Sequence, residues 1–127
     1  MKVGYVTLGT NNLERACTFY DQLMDTIGFS RIWDDGKLVV WGVSLEEAAV
    51  GVTTPFDDTS ATIGNGVMVA MQAQNEEQVK AFYQKAIELG GSDEGPPGQR
   101  IDNFYAAYFR DLDGNKLNAV CFNDVKL

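Results

Sequence analysis

The fold is decided by a stretch that reads Val6-Thr-Leu-Gly-Thr-Asn-Asn-Leu-Glu-Arg-Ala-Cys-Thr-Phe-Tyr20 and ends at Ile27-Gly28. This stretch occurs twice. The second copy lies 63 residues further along the chain, as Tyr20 and Tyr83 illustrate (83 − 20 = 63). The residues that recur are Val6, Asn12, Glu14, Phe19, Tyr20 and Gly28, matched by Val69, Asn75, Glu77, Phe82, Tyr83 and Gly91. A constant offset of about half the chain length predicts two copies of one structural unit.

Length and composition predict an ordinary globular domain. The chain has 127 residues, of which 45% are hydrophobic and 22% are charged. A chain of this length buries about two-thirds of its unfolded surface and needs no disulfide or metal to fold. The 18 acidic residues outnumber the 10 basic ones, which gives a net charge of −8. This charge disfavours nucleic acid and anionic membranes as partners.

The absence of histidine restricts the possible chemistry more than any motif does. It excludes histidine-based triads, histidine general bases and histidine metal ligands. The two cysteines, Cys17 and Cys121, have no metal-binding spacing. The chain opens on a strand-like segment without a charged and then apolar leader, and it has no apolar run that could cross a membrane. We therefore expect a reduced, cytoplasmic protein.

The first half of the chain predicts a strand, a helix and three further strands. An asparagine at Asn11-Asn12 can cap the helix, and Gly28 suits the left-handed position that ends it. Asp35-Gly36 indicates a tight hairpin turn. The predicted strands are Lys2–Gly9, Phe29–Trp33, Lys37–Val43 and Ala48–Thr53. The segment from Thr54 to Asn65 is polar and contains Pro55, so it predicts a linker.

The second half repeats this order. It predicts a helix over Asn75–Leu89 after a first strand, a break at Gly95-Pro-Pro-Gly98, and a final hairpin turned by Asp111-Leu-Asp-Gly114. The predicted strands are Val67–Gln72, Asn103–Arg110 and Asn115–Phe122. We therefore predict an α+β fold of one domain, with module one at about 1–54, a linker at about 55–65 and module two at about 66–127. Pairing the two modules would cover sheet faces that a single module leaves bare.

Three motifs in this order carry a family resemblance. They are Leu13-Glu-Arg-Ala16 followed by Phe19-Tyr20, Gly64-Asn-Gly66, and the run Tyr105-Ala-Ala-Tyr-Phe-Arg-Asp-Leu-Asp-Gly-Asn-Lys116. With them the whole chain resembles the vicinal-oxygen-chelate superfamily, which contains glyoxalase I, extradiol dioxygenases and bleomycin-resistance proteins. The resemblance implies two βαβββ modules that form an open, curved mixed-sheet barrel around a central cavity. It also implies a homodimer.

The resemblance further implies metal ligands on the first and last strands of each module. In this sequence the first-strand positions fall on Tyr5 and Met68, which are themselves one repeat apart, and one last-strand position falls on Asn118. The remaining position lies near Val50 or Val52. Such a set offers neither a carboxylate nor an imidazole to a divalent ion. We therefore predict no metal and no other cofactor.

The register of the last hairpin predicts which side chains line the cavity. A type I turn at Asp111 with Gly114 as the bulge sets Tyr108 opposite Asn118, so both would point inward together with Phe104. The repeat offset pairs Trp41 with Phe104, which predicts that Trp41 also points inward. In the first hairpin, Trp41 is expected opposite Ser30 and Trp33 opposite Leu38, facing away. The predicted ligand-binding residues are Tyr5, Trp41, Met68, Arg100, Phe104, Tyr108 and Asn118.

Each of these residues also has an alternative interpretation. Inward aromatic and methionine side chains can simply fill a core. Arg100, expected in a glycine-rich loop at the mouth of the pocket, can either meet an anionic group of a ligand or be solvated. Cys17 and Cys121 can be buried small apolar groups or nucleophiles. The first interpretation is favoured, because no histidine is present to raise their thiolate fraction.

The predicted function is a metal-free protein of the glyoxalase/bleomycin-resistance type that binds a small, flat or apolar molecule with a few polar groups. One alternative is a metal-independent lyase or isomerase in which Tyr5, Tyr108 and Asn118 donate hydrogen bonds to an enolate-like oxyanion. A second alternative is a dimer with a filled cavity that acts only through its surface.

Overall fold

A computed structural model of the chain describes residues 1–123. These residues form two compact units, one spanning Met1–Asn65 and one beginning at Gly66. Module two was predicted to extend to residue 127, and its last four residues lie outside the described part. Neither helix in the described part has the length and apolar character needed to cross a membrane.

Each unit runs strand, helix and then three strands. The first unit contains β1 (Tyr5–Gly9), α1 (Leu13–Asp25), β2 (Ser30–Asp34), β3 (Leu38–Gly42) and β4 (Ala49–Thr53). The second contains β5 (Val69–Gln72), α2 (Glu76–Glu88), β6 (Ser92–Ile101), β7 (Phe104–Arg110) and β8 (Lys116–Phe122). The predicted α+β fold with two βαβββ modules is therefore confirmed. The central cavity implied by the resemblance stays a prediction.

Both sheets have the same mixed topology. The strand order is β1-β4-β3-β2 in the first unit and β5-β8-β7-β6 in the second. In each sheet the first strand runs parallel to the last, because the helix carries the chain back across the sheet, and the other neighbours are antiparallel. Neither sheet closes on itself. Each sheet packs one of its faces on the helix of its own unit. We call the opposite face the open face.

The repeated residues cap the two helices and end α1. The Asn12 side chain accepts a hydrogen bond from the Arg15 backbone N–H at 3.0 Å, and Asn75 accepts one from Gln78 at 2.8 Å. This satisfies amides that a helix start leaves without partners. Gly28 has a φ of +76°, the left-handed conformation that glycine adopts without strain. The caps and the stop predicted from the sequence are confirmed.

Each helix packs on its own sheet and makes a separate core. In the first unit, α1 buries one face that includes Phe19, Tyr20, Leu23 and Met24. In the second unit, Phe82 of α2 packs on Phe109 of β7, with ring centroids 5.7 Å apart. Cys17 and Cys121 are also buried, and burial raises the pKa of the Cys17 thiol. This raised pKa disfavours the thiolate that a nucleophile needs.

The segment around Gly95-Pro-Pro-Gly98 differs from its prediction. We expected a break, but β6 runs through it and pairs with β7, with register irregularities on either side of the prolines. β6 is the edge strand of its sheet, where a missing proline N–H costs no ladder hydrogen bond. The prolines are therefore tolerated. The expected linker, in turn, is tied to the start of α1, because Asn11 exchanges hydrogen bonds with the backbone of Ala61.

Candidate functional site

The register of the β2–β3 hairpin decides where the two tryptophans point. The Asp35 side chain accepts hydrogen bonds from the backbone N–H groups of Lys37 and Leu38, so the turn closes between Asp35 and Leu38. Trp33 therefore pairs with Val40, and Trp41 with Arg31, across an irregularity in β2. The predicted pairings of Trp41 with Ser30 and of Trp33 with Leu38 were wrong, because the turn was placed one residue too early.

Trp41 faces the helix, so its predicted position in the cavity was wrong. It is 1% exposed, its ring centroid lies 5.4 Å from that of Tyr20, and its indole N–H donates to Asp21 Oδ1 at 2.9 Å. The Arg31 guanidinium also donates two hydrogen bonds to the Asp21 carboxylate. These bonds, with that of Arg31 the largest cause, hold the pKa of Asp21 below its ordinary value. Trp41 is thus part of a structural network between α1 and the sheet.

The constant offset of 63 residues gave the wrong counterpart of Trp41 in module two, because β6 is longer than β2. Val50 pairs with Val6 and Trp41, whereas Leu117 pairs with Val69 and Phe109. The counterpart of Trp41 is therefore Phe109, at an offset of 68 residues (109 − 41 = 68), and not Phe104. Both residues pack toward their helices. The constant offset ends where the lengths of β2 and β6 begin to differ.

The open face of the first sheet carries an apolar groove of about 420 Å³. Two half-exposed aromatic side chains line it: Tyr5 is 57% exposed and Trp33 is 52% exposed. Aliphatic side chains complete the lining, and polar groups are few. The aliphatic residues are Ile32, Leu38, Val40, Leu45 and Ala49, and the polar ones are Ser44, Asp35 and Glu47. Concave, mainly apolar surfaces with a few polar groups are typical of small-molecule sites.

Asp35 is a fixed anion at this groove. Its Oδ1 accepts from Leu38 and Lys37, and its Oδ2 accepts from the Trp33 indole N–H at 3.1 Å. These hydrogen bonds, the one from Leu38 first, hold the pKa of the Asp35 carboxyl below its ordinary value. The carboxylate therefore stays ionised, orients the Trp33 ring, and is a weak base.

The open face of the second sheet carries most of the other predicted residues. Asp111 pairs with Asn115 around the turn and Tyr108 lies opposite Asn118, as the register predicted. By strand alternation Phe104 shares this face, where its ring contacts Phe122. Met68 lies immediately before β5 and is 41% exposed.

Asn118 is buried and its amide group is already committed. Nδ2 donates to the backbone carbonyls of Ala107 and Ala119, each at 3.0 Å. Because both partners can only accept, the orientation of the amide is settled by chemistry. Both N–H groups are therefore engaged, and Asn118 could donate to an oxyanion only by breaking one of these hydrogen bonds. The remaining polar atom of the side chain is Oδ1, which can only accept a hydrogen bond.

Arg100 lies on β6 and not in a loop. Its guanidinium carbon is 5.5 Å from the centroid of the Tyr108 ring, and the Lys116 ammonium nitrogen is 5.5 Å from the same centroid. Sequence reasoning missed Lys116, although the predicted hairpin register already sets it opposite Arg110, on the face of Tyr108. It also missed Trp33, because the repeat offset placed Trp41 on the inner face and Trp33 was therefore expected on the opposite face.

The structure identifies the fourth of the positions that the resemblance assigns to metal ligands, which the sequence had placed near Val50 or Val52. Gly51 of the first sheet corresponds to Asn118 of the second, because they pair with Thr7 and Ala70, which are equivalent residues of the repeat. The four positions therefore hold a phenol, no side chain, a thioether and an amide whose N–H groups are engaged. In residues 1–123 no group of three or more acidic or cysteine side chains could hold a metal ion. This donor set does not fit a divalent cation.

Comparison with known proteins gives a family and a fold. A model of the Glyoxalase/Bleomycin resistance protein/Dioxygenase superfamily matches residues 2–119. No curated protein matches the chain. The solved structure of a glyoxalase/bleomycin resistance protein from Albidiferax ferrireducens T118 is 38% identical, with a TM-score of 0.85 over 93% of this chain and 96% of that chain.

Two more distant structures have the same fold. A lactoylglutathione lyase from Agrobacterium tumefaciens is 18% identical, with a TM-score of 0.67 over 94% of this chain and 92% of that chain. A fosfomycin resistance protein from Listeria monocytogenes is 16% identical, with a TM-score of 0.72 over 95% and 93%. At these identities the likeness concerns the fold alone, since one fold supports many activities.

Proposed function

Because the chain belongs to the Glyoxalase/Bleomycin resistance protein/Dioxygenase superfamily, we propose that it is a protein that binds a small, flat or largely apolar molecule without a metal ion. The observation that carries the proposal is the groove of about 420 Å³ lined by Tyr5 and Trp33. Its aliphatic floor would take the body of the ligand, and the aromatic side chains would stack on it. On the second unit, Tyr108, Phe104 and Met68 are proposed as a separate set of ligand-contacting residues.

The chemistry of the site favours binding over catalysis. The enzyme alternative requires donors for a developing oxyanion, and the Asn118 amide uses both N–H groups on backbone carbonyls. It also requires a general base, and the pKa of Asp35 beside the groove is lowered. A lyase or isomerase would therefore have to use Tyr5 and Tyr108 without their expected partner.

The two tryptophans allow a direct test, because one lies in the groove and the other is buried. The neutral probe N-phenyl-1-naphthylamine should bind the protein, and energy transfer from Trp33 should accompany binding. Trp33→Ala is expected to weaken the probe about tenfold, which is the effect of losing roughly 1.4 kcal/mol of contact. The measurement is a fluorescence titration of the wild-type protein and the variant.

Phe56→Ala is the matched control, since Phe56 is 95% exposed and lies outside the groove in the same unit. It should leave the titration unchanged. A probe affinity that is insensitive to both Trp33→Ala and Tyr5→Ala would overturn the proposed site. Failure of the probe to bind at all would instead favour a protein that acts only through its surface.

A further inference from the structure

The open face of the second sheet holds an aromatic ring flanked by two cations. Arg100 reaches Tyr108 from β6 and Lys116 reaches it from β8, which are the neighbours of β7 on either side. Both charges lie 5.5 Å from the ring centroid, within the range of a cation–π interaction. The ring attracts both charges, but it neutralises neither.

The Arg100 guanidinium is held in place by its own strand. It donates a hydrogen bond to the carbonyl of Pro96, four residues earlier. A Cβ at Gly95 would lie 3.2 Å from Nη2, and a Cβ at Gly98 would lie 3.0 Å from Nη1. These are close contacts, which the guanidinium would relieve by moving a few tenths of an ångström. The guanidinium therefore lies directly against the backbone of Gly95 and Gly98.

These two cations have no carboxylate partner in the described part of the chain, where acidic residues are plentiful. Neither of them takes part in the salt bridges of Arg31, Lys37, Lys80, Lys85 and Arg110 with carboxylates. Arg110 lies on the same face and is satisfied: its Nε donates to Glu94 at 2.6 Å and its Nη1 to the carbonyl of Gly114 at 2.8 Å. In a protein of net charge −8, two cations on one aromatic ring without a carboxylate partner are the exception.

We propose that Arg100, Lys116 and the ring of Tyr108 form a subsite for the oxyanion of a small molecule, a carboxylate or a phosphoryl group. The planar guanidinium supplies paired donors to two oxygens, and the ammonium supplies a point charge. The subsite rests on the proposed function for the view that this protein binds small molecules, and it is specific for a negatively charged one.

The test uses benzoate and phenyl phosphate as anionic probes and benzyl alcohol as their neutral analogue. In a ¹H–¹⁵N NMR titration, an anionic probe should shift the backbone resonances of Gly98, Tyr108 and Asn118. It should also raise the melting temperature of the wild-type protein, as any ligand of the folded state does. Benzyl alcohol should do neither at the same concentration. The tighter of the two anions identifies the group that the subsite prefers.

Arg100→Gln and Lys116→Gln should each weaken the anion at least tenfold. Lys80→Gln is the matched control, because it removes the same charge from α2 of the same unit. An equal loss in Lys80→Gln would reduce the effect to net charge and overturn the subsite. Absence of shifts in the second unit with both anions at millimolar concentration would overturn it as well. These readouts do not involve Trp33, so the groove and the subsite can fail separately.

Discussion

At the residue scale, Asn118 is a buried side chain with a structural role. It is 1% exposed, and both of its N–H groups bind backbone carbonyls of β7 and β8. A buried amide that satisfies its own donors in this way fixes the two strands against each other. Its Oδ1 is not used in either of these two hydrogen bonds.

Asn118→Asp should destabilise the protein in a pH-dependent way. The new carboxylate would face two carbonyl oxygens, which costs on the order of 1–3 kcal/mol or more in a buried position. Because the folded state would hold the proton more tightly, the pKa of the new group would be raised above about 3.9. The free energy of unfolding should therefore fall relative to wild type as pH rises through about 4 to 7.

Urea denaturation at a series of pH values measures this. Asn65→Asp makes the same substitution at an exposed position and should stay within about 0.5 kcal/mol of wild type throughout. A constant difference between Asn118→Asp and wild type from pH 4 to 7 would contradict the assignment of the amide orientation.

At the scale of elements, the contact between α1 and β2–β3 depends on one carboxylate. Asp21 receives two hydrogen bonds from Arg31 and one from Trp41, so a helix residue binds two adjacent strands. The pairing of Arg31 with Trp41 across the hairpin makes this possible. Trp33 lies on the opposite face of the sheet, where it lines the groove. One tryptophan is thus buried against α1 and the other is exposed in the groove.

Asp21→Asn should lower the free energy of unfolding at pH 7 by about 1 kcal/mol, a modest value because the ion pair is partly exposed. The pKa of Asp21 is lowered in the folded state, so its contribution is present above about pH 4 and is lost as pH falls through the folded pKa. The difference between variant and wild type should therefore shrink in acid.

Chemical denaturation followed by tryptophan fluorescence at pH 7 and at pH 3 makes the comparison. Asp25→Asn on the same helix is the control, since Asp25 is exposed, and it should have little effect at either pH. A difference for Asp21→Asn that is as large at pH 3 as at pH 7 would mean that the charge of Asp21 is not what stabilises the contact.

At the scale of the whole molecule, the duplication gives two helix-covered cores and two open faces that have diverged. The first open face is apolar and aromatic, with carboxylates at its groove. The second carries Arg100, Lys116 and the paired Arg110. The two halves therefore differ in chemistry while they keep one architecture.

Leu23→Ala should lower the free energy of unfolding by roughly 2–5 kcal/mol, because Leu23 is fully buried in the first core and its loss leaves a cavity. Leu45→Ala is the matched control: Leu45 is 77% exposed, and the variant should stay within about 0.5 kcal/mol of wild type. Both tryptophans belong to the first unit, so their fluorescence follows this core directly. Similar losses in the two variants would contradict the assignment of the core.

The sequence by itself determined the features that depend on local chemistry. The caps at Asn12 and Asn75, the duplicated order of elements and the turn at Asp111 follow from neighbouring side chains and from alternation along a strand. The opposition of Tyr108 and Asn118 followed from that turn. These features need no knowledge of which face a helix covers.

Only the tertiary structure decided which side chains share a surface. Alternation places Trp33 and Trp41 on opposite faces, but it is the packing of Trp41 on Tyr20 and Asp21 that decides which of the two faces meets α1. The meeting of Arg100 with Tyr108 depends on an edge strand that continues through two prolines. Strand register and strand length are set by pairing across the sheet, and a single misplaced residue turns a side chain to the opposite face.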